Sequence, residues 1–140
     1  MNEYFDECIK LANKAARKKE VPVGAVVVIN NKIIGRGYNK RKKNHLVDGH
    51  AEIVAIKQAS KRMKDWRLQD CDLYVTLKPC SMCESIIKEA RIKNVFYLIE
   101  KSSGKKEYNK TQFTEVINNE NYKSEYKELL TKFFNENCNR

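Results

Sequence analysis

Residues 21–39 read Val-Pro-Val-Gly-Ala-Val-Val-Val-Ile-Asn-Asn-Lys-Ile-Ile-Gly-Arg-Gly-Tyr-Asn. The apolar, β-branched run from Val23 to Ile29 is typical of a buried strand. The Asn30-Asn31 pair predicts a turn, because asparagine tolerates positive φ, and Lys32 to Gly37 resumes an extended pattern. This stretch therefore predicts a β-hairpin near the start of the domain.

Helical and extended patterns alternate on both sides of the hairpin. An amphipathic helix is predicted over 3–19, and Pro22 follows its end. The elements predicted after the hairpin are helices over 50–63, 80–90 and 122–134 and strands over 73–77, 95–99 and 113–117. Helices between buried strands indicate an α/β fold whose sheet is covered on both faces.

Length and charge narrow the class of protein. The 140 residues fit one domain, 1–140. Lys and Arg number 28 against 18 Asp and Glu, and the net charge of +10 favours a polyanionic partner. The longest apolar run, Ala25 to Ile29, is far short of the ~20 residues that a membrane-spanning helix needs. We therefore predict a cytoplasmic protein without a membrane partner, whose five cysteines are reduced thiols or metal ligands.

Two short motifs carry the chemistry, His50-Ala51-Glu52 and Pro79-Cys80-Ser81-Met82-Cys83. Cys80 and Cys83 lie three residues apart at the start of a predicted helix, so both thiols share one side of its first turn. The helix N-terminus favours the thiolate form, which binds metal. His50 opens another predicted helix and adds an imidazole. A Cys-x-x-Cys pair alone fits structural zinc or a redox pair, whereas three ligands beside a glutamate predict a catalytic zinc site.

The position of Glu52 indicates that the predicted metal site belongs to an enzyme. Residues two apart in the middle of a helix point ~200° apart, so His50 and Glu52 share a site only where the chain enters the helix. There Glu52 would lie beside the zinc without binding it. A carboxylate in that place acts as a general acid and base, taking a proton from water and returning it to the substrate.

At these motifs the sequence resembles the cytidine deaminase-like superfamily and, within it, the bacterial tRNA-specific adenosine deaminases. The resemblance runs from the first helix to about Ile99. His-x-Glu followed by Pro-Cys-x-x-Cys is the general signature of zinc deaminases. The matching segments are Val21 to Val26, Gly35 to Asn39, His50 to Ile53, Leu73 to Leu77, Pro79 to Cys83 and Ala90 to Ile92.

The resemblance implies a three-layer α/β/α sandwich with a five-stranded mixed sheet, assembled as a homodimer. It also implies one zinc ion per subunit, held by His50, Cys80 and Cys83, with Glu52 as the proton shuttle. The implied reaction converts the wobble adenosine of an arginine tRNA to inosine. It proceeds by hydrolytic attack at carbon six of the purine, protonation by Glu52 and loss of ammonia.

The same resemblance implies the substrate-binding residues. Asn39 would hydrogen-bond the purine edge, and the Ala51 backbone N–H would contact its reacting side. Glu100 takes the place of an aspartate that commonly faces the substrate. Lys78 stands where the family usually has a glutamate before the Pro-Cys pair.

A basic stretch lies between the hairpin and His50. No Asp or Glu occurs from Val21 to Val47, and four consecutive cations follow Asn39. These four, Lys40, Arg41, Lys42 and Lys43, are candidate contacts to the RNA backbone of a tRNA anticodon stem-loop. A solvated charged loop is the alternative. Two further functions stay open, a deaminase of a free base or nucleoside such as guanine or cytosine, and a non-catalytic, zinc-stabilised RNA-binding protein.

Overall fold

The computed structural model describes residues 2–100, 112, 115 and 120–136. Its elements are α1 (Asn2–Arg17), β1 (Gly24–Ile29), β2 (Lys32–Tyr38), α2 (Ala51–Met63), β3 (Asp72–Leu77), α3 (Ser81–Glu89), β4 (Asn94–Ile99) and α4 (Glu120–Glu136). The chain divides into two compact units, Met1–Ser103 and Gly104–Arg140. The single domain expected over 1–140 stays a prediction.

The β-hairpin predicted from residues 21–39 is confirmed. Strands β1 and β2 pair antiparallel, from Gly24 opposite Tyr38 to Ile29 opposite Lys32. Asn30 and Asn31 adopt φ of 49° and 62°. Two consecutive positive φ angles are typical of a type I′ turn, whose twist matches that of the flanking strands. The Asn-Asn pair therefore sets the register of the hairpin.

The sheet is mixed, with the strand order β2-β1-β3-β4. Strand β3 pairs antiparallel with β1 and parallel with β4, and α3 supplies the crossover that a parallel pair needs. The five strands expected from the resemblance are corrected to four in the described part of the chain. The predicted edge strand over 113–117 lies outside the described residues, except for Glu115.

Helices cover both faces of the sheet, so the three-layer α/β/α arrangement is confirmed for residues 2–100. Alternate side chains of a strand point to opposite faces. Val26 and Val28 of β1 therefore pack with α1, where Cys8 is fully buried. Val27, between them, faces the other way and packs in the cluster that includes α2 and α3.

The topology brings the beginnings of α2 and α3 to one edge of the sheet. Strand β1 begins at Gly24, which lies opposite Tyr38 at the end of β2. Its next residue, Ala25, lies opposite Val75 near the end of β3. The chain leaves both strands at this edge, and each is followed by a helix on the same face. Side chains at the two helix starts can therefore meet.

Helix α4 belongs to the second unit and is described by itself. Its apolar side chains are largely exposed, with Leu129 62% accessible. None of the helices in the described part of the chain is long and apolar enough to cross a membrane.

Candidate metal centre

His50 is the N-cap residue of α2. Its backbone is extended, with φ of −75° and ψ of 146°, and its side chain does not cap the helix by a hydrogen bond. The residue before it, Gly49, accepts a 2.7 Å hydrogen bond from the Lys40 backbone N–H. This bond closes the loop over residues 40–49 at its base. The imidazole therefore leaves the backbone from a fixed point at the helix entrance.

Cys80 and Cys83 lie at the start of α3. Cys80 is the N-cap residue, with an extended backbone, and its carbonyl accepts the Glu84 N–H at 2.9 Å. Cys83 is fully buried, whereas Cys80 is exposed. One thiol thus belongs to the core and the other faces solvent.

The structure brings His50, Cys80 and Cys83 together. His50 Nδ1 lies 3.6 Å from Cys80 Sγ and 3.3 Å from Cys83 Sγ. All three ligand atoms lie within 4.8 Å of one another. A tetrahedral zinc with Zn–S of ~2.3 Å and Zn–N of ~2.0–2.1 Å separates its nitrogen and sulfur ligands by roughly 3.5 Å. The two nitrogen-to-sulfur distances fit that separation, so the donor set suits zinc.

The protonation of His50 and Cys83 bears on whether they can bind a metal cation. Burial and the nearby charge of Arg41 lower the pKa of His50, which favours the neutral imidazole that binds metal. Burial, followed by the charge of Glu52 and then that of Cys80, raises the pKa of Cys83 well above its usual range. A bound metal ion reverses this effect, because it stabilises the thiolate directly. Metal binding here is therefore coupled to loss of a thiol proton.

Glu52 lies beside these residues and is almost completely buried, with 4% of its surface accessible. Burial raises the pKa of its carboxyl, while its own backbone N–H and the Cys83 thiol oppose that rise by hydrogen bonding. The extended backbone at His50 explains how two residues only two apart both reach this place. The geometry is that of a chain entering a helix, as the sequence motif required.

Asn39 and Ala51, the predicted purine contacts at the end of β2 and the start of α2, are both buried. Asn39 is 6% accessible and lines an open cavity of about 70 Å³ together with Tyr38 and Lys40. Ala51 is completely buried in the first turn of α2. The first four N–H groups of a helix have no partner inside the helix, so the Ala51 N–H is suited to bind a ligand.

Glu100 has a partner that the sequence did not indicate. Its Oε1 accepts a 3.0 Å ion-pair contact from Lys78 Nζ. The Lys78 N–H also donates to the carbonyl of Ile99, so the ends of β3 and β4 are joined here. Two of the positions at which this sequence departs from the family pattern are therefore paired with each other.

The basic loop, Lys40 to Lys43, is held by a residue that sequence reasoning missed. Glu20 is buried, and its two carboxylate oxygens accept the backbone N–H groups of Lys42 at 3.1 Å and Lys43 at 2.8 Å. These bonds, Lys43 first, lower the pKa of the Glu20 carboxyl. The available signal was one acidic residue directly before a long stretch with none. Arg41, Lys42 and Lys43 are exposed, and Lys40 is half-buried.

Known proteins match both the sequence and the structure. The family model of the MafB19-like deaminases matches residues 1–137. A tRNA-specific adenosine deaminase of Streptococcus pyogenes is 43% identical over 94 residues, which cover 67% of this chain and 59% of the relative. The chain thus spans less than two thirds of the length of that relative.

Two solved structures are similar. A tRNA:A34 deaminase, studied for A-to-I editing at the wobble position, has a TM-score of 0.67 and 38% identity, covering 69% of this chain and 74% of its own. The guanine deaminase of Bacillus subtilis has a TM-score of 0.78 and 27% identity, covering 93% of both chains. The resemblance to the tRNA-specific adenosine deaminases is thus confirmed, and the chain belongs to the MafB19-like deaminase family.

Proposed function

We propose that this protein is a hydrolytic deaminase that converts the wobble adenosine of a tRNA, in the anticodon loop of an arginine tRNA, to inosine. The observation that carries this proposal is the convergence of His50, Cys80 and Cys83 beside the buried Glu52. The similarity to the A34 deaminase supports the choice of substrate.

One zinc ion per subunit would be held by His50 Nδ1 and the thiolates of Cys80 and Cys83. Three protein ligands leave a coordination position open, which is typical of catalytic rather than structural zinc. When bound, zinc supplies a Lewis acid that makes water nucleophilic at neutral pH. The buried Cys83 and the exposed Cys80 place the site between the core and the solvent, where a substrate has access.

Glu52 moves the proton in this mechanism. Its carboxylate takes a proton from the attacking water and delivers it to N1 of the purine, where the electron pair arrives when carbon six is attacked. A second proton, from the new hydroxyl on carbon six, passes through Glu52 to the amino group, so that the C–N bond breaks and ammonia leaves. Burial raises the pKa of Glu52. A carboxyl with a raised pKa takes up and releases a proton more readily near neutral pH. The pKa of an exposed glutamate would not be raised in this way, because water solvates its carboxylate.

Asn39 and Ala51 orient the purine. The buried amide of Asn39 presents both a donor and an acceptor to a base edge, and the Ala51 N–H points from the first turn of α2. Glu100 is a third candidate, and its ion pair with Lys78 would neutralise its charge near an anionic substrate. The adenosine of a folded anticodon loop reaches this pocket only if it is flipped out of the stack.

The basic loop provides contacts to the RNA backbone. Its exposed cations lie next in sequence to Asn39, and Glu20 fixes the backbone that carries them. Phosphate contacts of this kind fix the register of a nucleic acid without reading its sequence. Neutralising the four cations Lys40, Arg41, Lys42 and Lys43 would weaken tRNA binding and reduce its dependence on salt.

A free-base deaminase is the second candidate. The guanine deaminase of Bacillus subtilis overlaps 93% of this chain, more than the A34 deaminase does, and has the higher TM-score. Its substrate is a free purine base, for which a basic loop at the pocket has no evident use. The Lys78–Glu100 pair, at positions that depart from the adenosine deaminase pattern, is compatible with either substrate.

A deamination screen distinguishes the two candidates. The purified protein would be incubated with an arginine tRNA anticodon stem-loop and, separately, with adenine, guanine, cytosine and their nucleosides. We expect inosine at the wobble position of the stem-loop and little ammonia from the small molecules. A stem-loop with guanosine at the wobble position serves as the matched control. Release of ammonia from small molecules only would reject the tRNA proposal and favour the second candidate.

We also propose that the protein acts as a homodimer in the cytoplasm, as the resemblance implies. The apolar side chains of Leu46 and Val47 are 43% and 74% accessible in the loop that leads to His50. Exposed apolar side chains of this kind are available for contact with a second copy of the chain.

A further inference from the structure

Tyr38, at the end of β2, is surrounded by lysines from two separate parts of the chain. Lys14 and Lys18 come from the end of α1 and the residue just after it, and Lys40 comes from the basic loop. Their ammonium nitrogens lie 5.2, 5.1 and 4.8 Å from the centroid of the Tyr38 ring. Lys18 Nζ also donates a 2.9 Å hydrogen bond to the Tyr38 hydroxyl. We name these four residues the Tyr38 cluster.

The cluster concentrates positive charge. Each ammonium lies about 5 Å from one centroid, so any two are separated by at most about the Debye length of ~10 Å in 0.1 M salt. Their repulsion is therefore only partly screened. The ring offsets part of this cost by cation–π attraction. The proximity of Lys18, Lys40 and Lys14 also lowers the pKa of the Tyr38 phenol, through the Lys18 hydrogen bond above all.

One nearby acidic group offsets only part of this positive charge. Glu20 is the acidic residue among those that line the adjoining 70 Å³ cavity, where Lys18, Lys40 and Lys43 contribute three cations. Both Glu20 oxygens already accept backbone N–H groups of the loop. Excess positive charge therefore faces an open cavity, which is the electrostatic environment that an anion requires.

The cluster adjoins the proposed base pocket. Asn39 directly follows Tyr38 and lines the same cavity as Lys18 and Lys40. The Lys40 N–H is hydrogen-bonded to Gly49, which precedes His50. An anion at this cavity would therefore lie next to a base that is held by Asn39.

We propose that the Tyr38 cluster binds a backbone phosphate of the RNA next to the flipped nucleotide, so that α1 forms part of the RNA interface. This inference rests on the proposed function. RNA fits better than an acidic peptide because every nucleotide carries a phosphate close to its base, and the cluster lies beside the base pocket. Lys18 and Lys40, which line the cavity, would bind the phosphate oxygens, and Lys14 would contribute charge at longer range.

The test compares the wild-type protein with the double variant Lys14→Ala/Lys18→Ala. Binding to the anticodon stem-loop is measured at several salt concentrations between 50 and 200 mM, with deamination measured in parallel. The control variant is Lys61→Ala/Lys88→Ala, which removes the same charge from the last turns of α2 and α3. Those turns are at the helix ends opposite to the zinc ligands, ~16 Å along α2 from His50.

We expect the Lys14/Lys18 variant to bind the stem-loop about three- to tenfold more weakly at 0.1 M salt than the control variant. The slope of log K against log salt is negative, and its magnitude should decrease by ~0.7 for each phosphate that the variant no longer neutralises. Equal affinities and equal slopes for the two double variants would overturn the proposal. Binding of polyglutamate but not RNA, abolished in the Lys14/Lys18 variant, would assign the cluster to an acidic protein and would also overturn it.

The deamination assay tests the proposed function separately from the phosphate site. Weaker, less salt-dependent RNA binding by the Lys14/Lys18 variant supports the phosphate site whether or not the wild-type protein deaminates the stem-loop. A wild-type protein that does not deaminate the stem-loop would reject the proposed tRNA deaminase. Deamination of the stem-loop by wild-type protein, with no difference between the two variants, supports the deaminase and removes α1 from the RNA interface.

Discussion

At the scale of single residues, burial separates the roles of chemically similar groups. Glu52 and Glu20 are both buried, but the pKa of Glu52 is raised by desolvation whereas that of Glu20 is lowered by two backbone N–H groups. Burial therefore disfavours the charged form of the first carboxyl, whereas the second is a fixed anion that orients a loop. The two thiols at α3 differ in the same way, because Cys83 is buried and Cys80 is exposed.

Replacing Glu52 by Gln tests the proton shuttle. The amide has nearly the same shape but cannot carry the proton, so we expect deamination to fall by 10²- to 10⁴-fold, the usual range for general acid-base catalysis. Zinc content, measured by metal analysis, should stay at one per subunit, because Glu52 is not among the proposed ligands. Glu84→Gln, at an exposed carboxyl in the first turn of α3, is the control. Loss of zinc from Glu52→Gln would show that the ligand assignment is wrong.

At the scale of elements, close contact between β2 and α2 sets the position of His50 and Glu52. A Cβ atom at Gly37 would collide with the carbonyl oxygen of Ala51 and lie 2.6 Å from the backbone nitrogen of Ala55. Both atoms are backbone, so neither can move without moving the helix. Ala51 is between His50 and Glu52 in the first turn of α2, so the glycine allows the strand to hold that turn in place.

We therefore expect Gly37→Ala to weaken zinc binding as well as stability. Overpacking of this kind costs roughly 1–3 kcal/mol of unfolding free energy, measurable by urea denaturation. The matched control is Gly35→Ala, whose Cβ would meet Ala55 and Ala59 further along the same helix. Both variants should lose stability, but Gly37→Ala should lose more zinc affinity in a competition titration with a chelator. Equal zinc affinity for the two variants would contradict this account of the site.

At the scale of the whole molecule, part of the net charge of +10 is concentrated around Tyr38. The basic loop and the lysines of α1 meet at Tyr38, although they are more than twenty residues apart in sequence. Cations from both segments therefore meet at one cavity, which Asn39 also lines, rather than forming two separate patches. Their combined charge would attract a polyanion from a distance and slow its departure once bound.

The assembly of the whole molecule is testable by mass. Because Leu46 and Val47 are exposed in the loop that leads to His50, we expect static light scattering to give twice the 16.4 kDa mass of one chain. The value should persist at 0.5 M salt, because apolar contacts are not screened as charges are. A mass of 16.4 kDa at every protein concentration would reject the dimer.

The sequence by itself determined the hairpin, the alternation of helices and strands and the metal-binding residue types. Apolar periodicity and turn residues are local properties, so Val23 to Ile29 and Asn30-Asn31 could be interpreted without a structure. The motif spacing likewise placed His50, Cys80 and Cys83 at helix starts. The sequence pattern also predicted a strand over 113–117, which lies outside the described residues except for Glu115, and the described residues form a sheet of four strands.

Only the tertiary structure decided which distant groups meet. The pairing of β1 with both β2 and β3 brings the starts of α2 and α3 to one edge of the sheet, which sets His50 Nδ1 3.3 Å from Cys83 Sγ. Glu20, Lys14 and Lys18 gave no motif, because their roles depend on a loop and a ring that fold against them. Local pattern specifies the elements and the chemistry that each one carries, whereas distances between elements depend on how the whole chain packs.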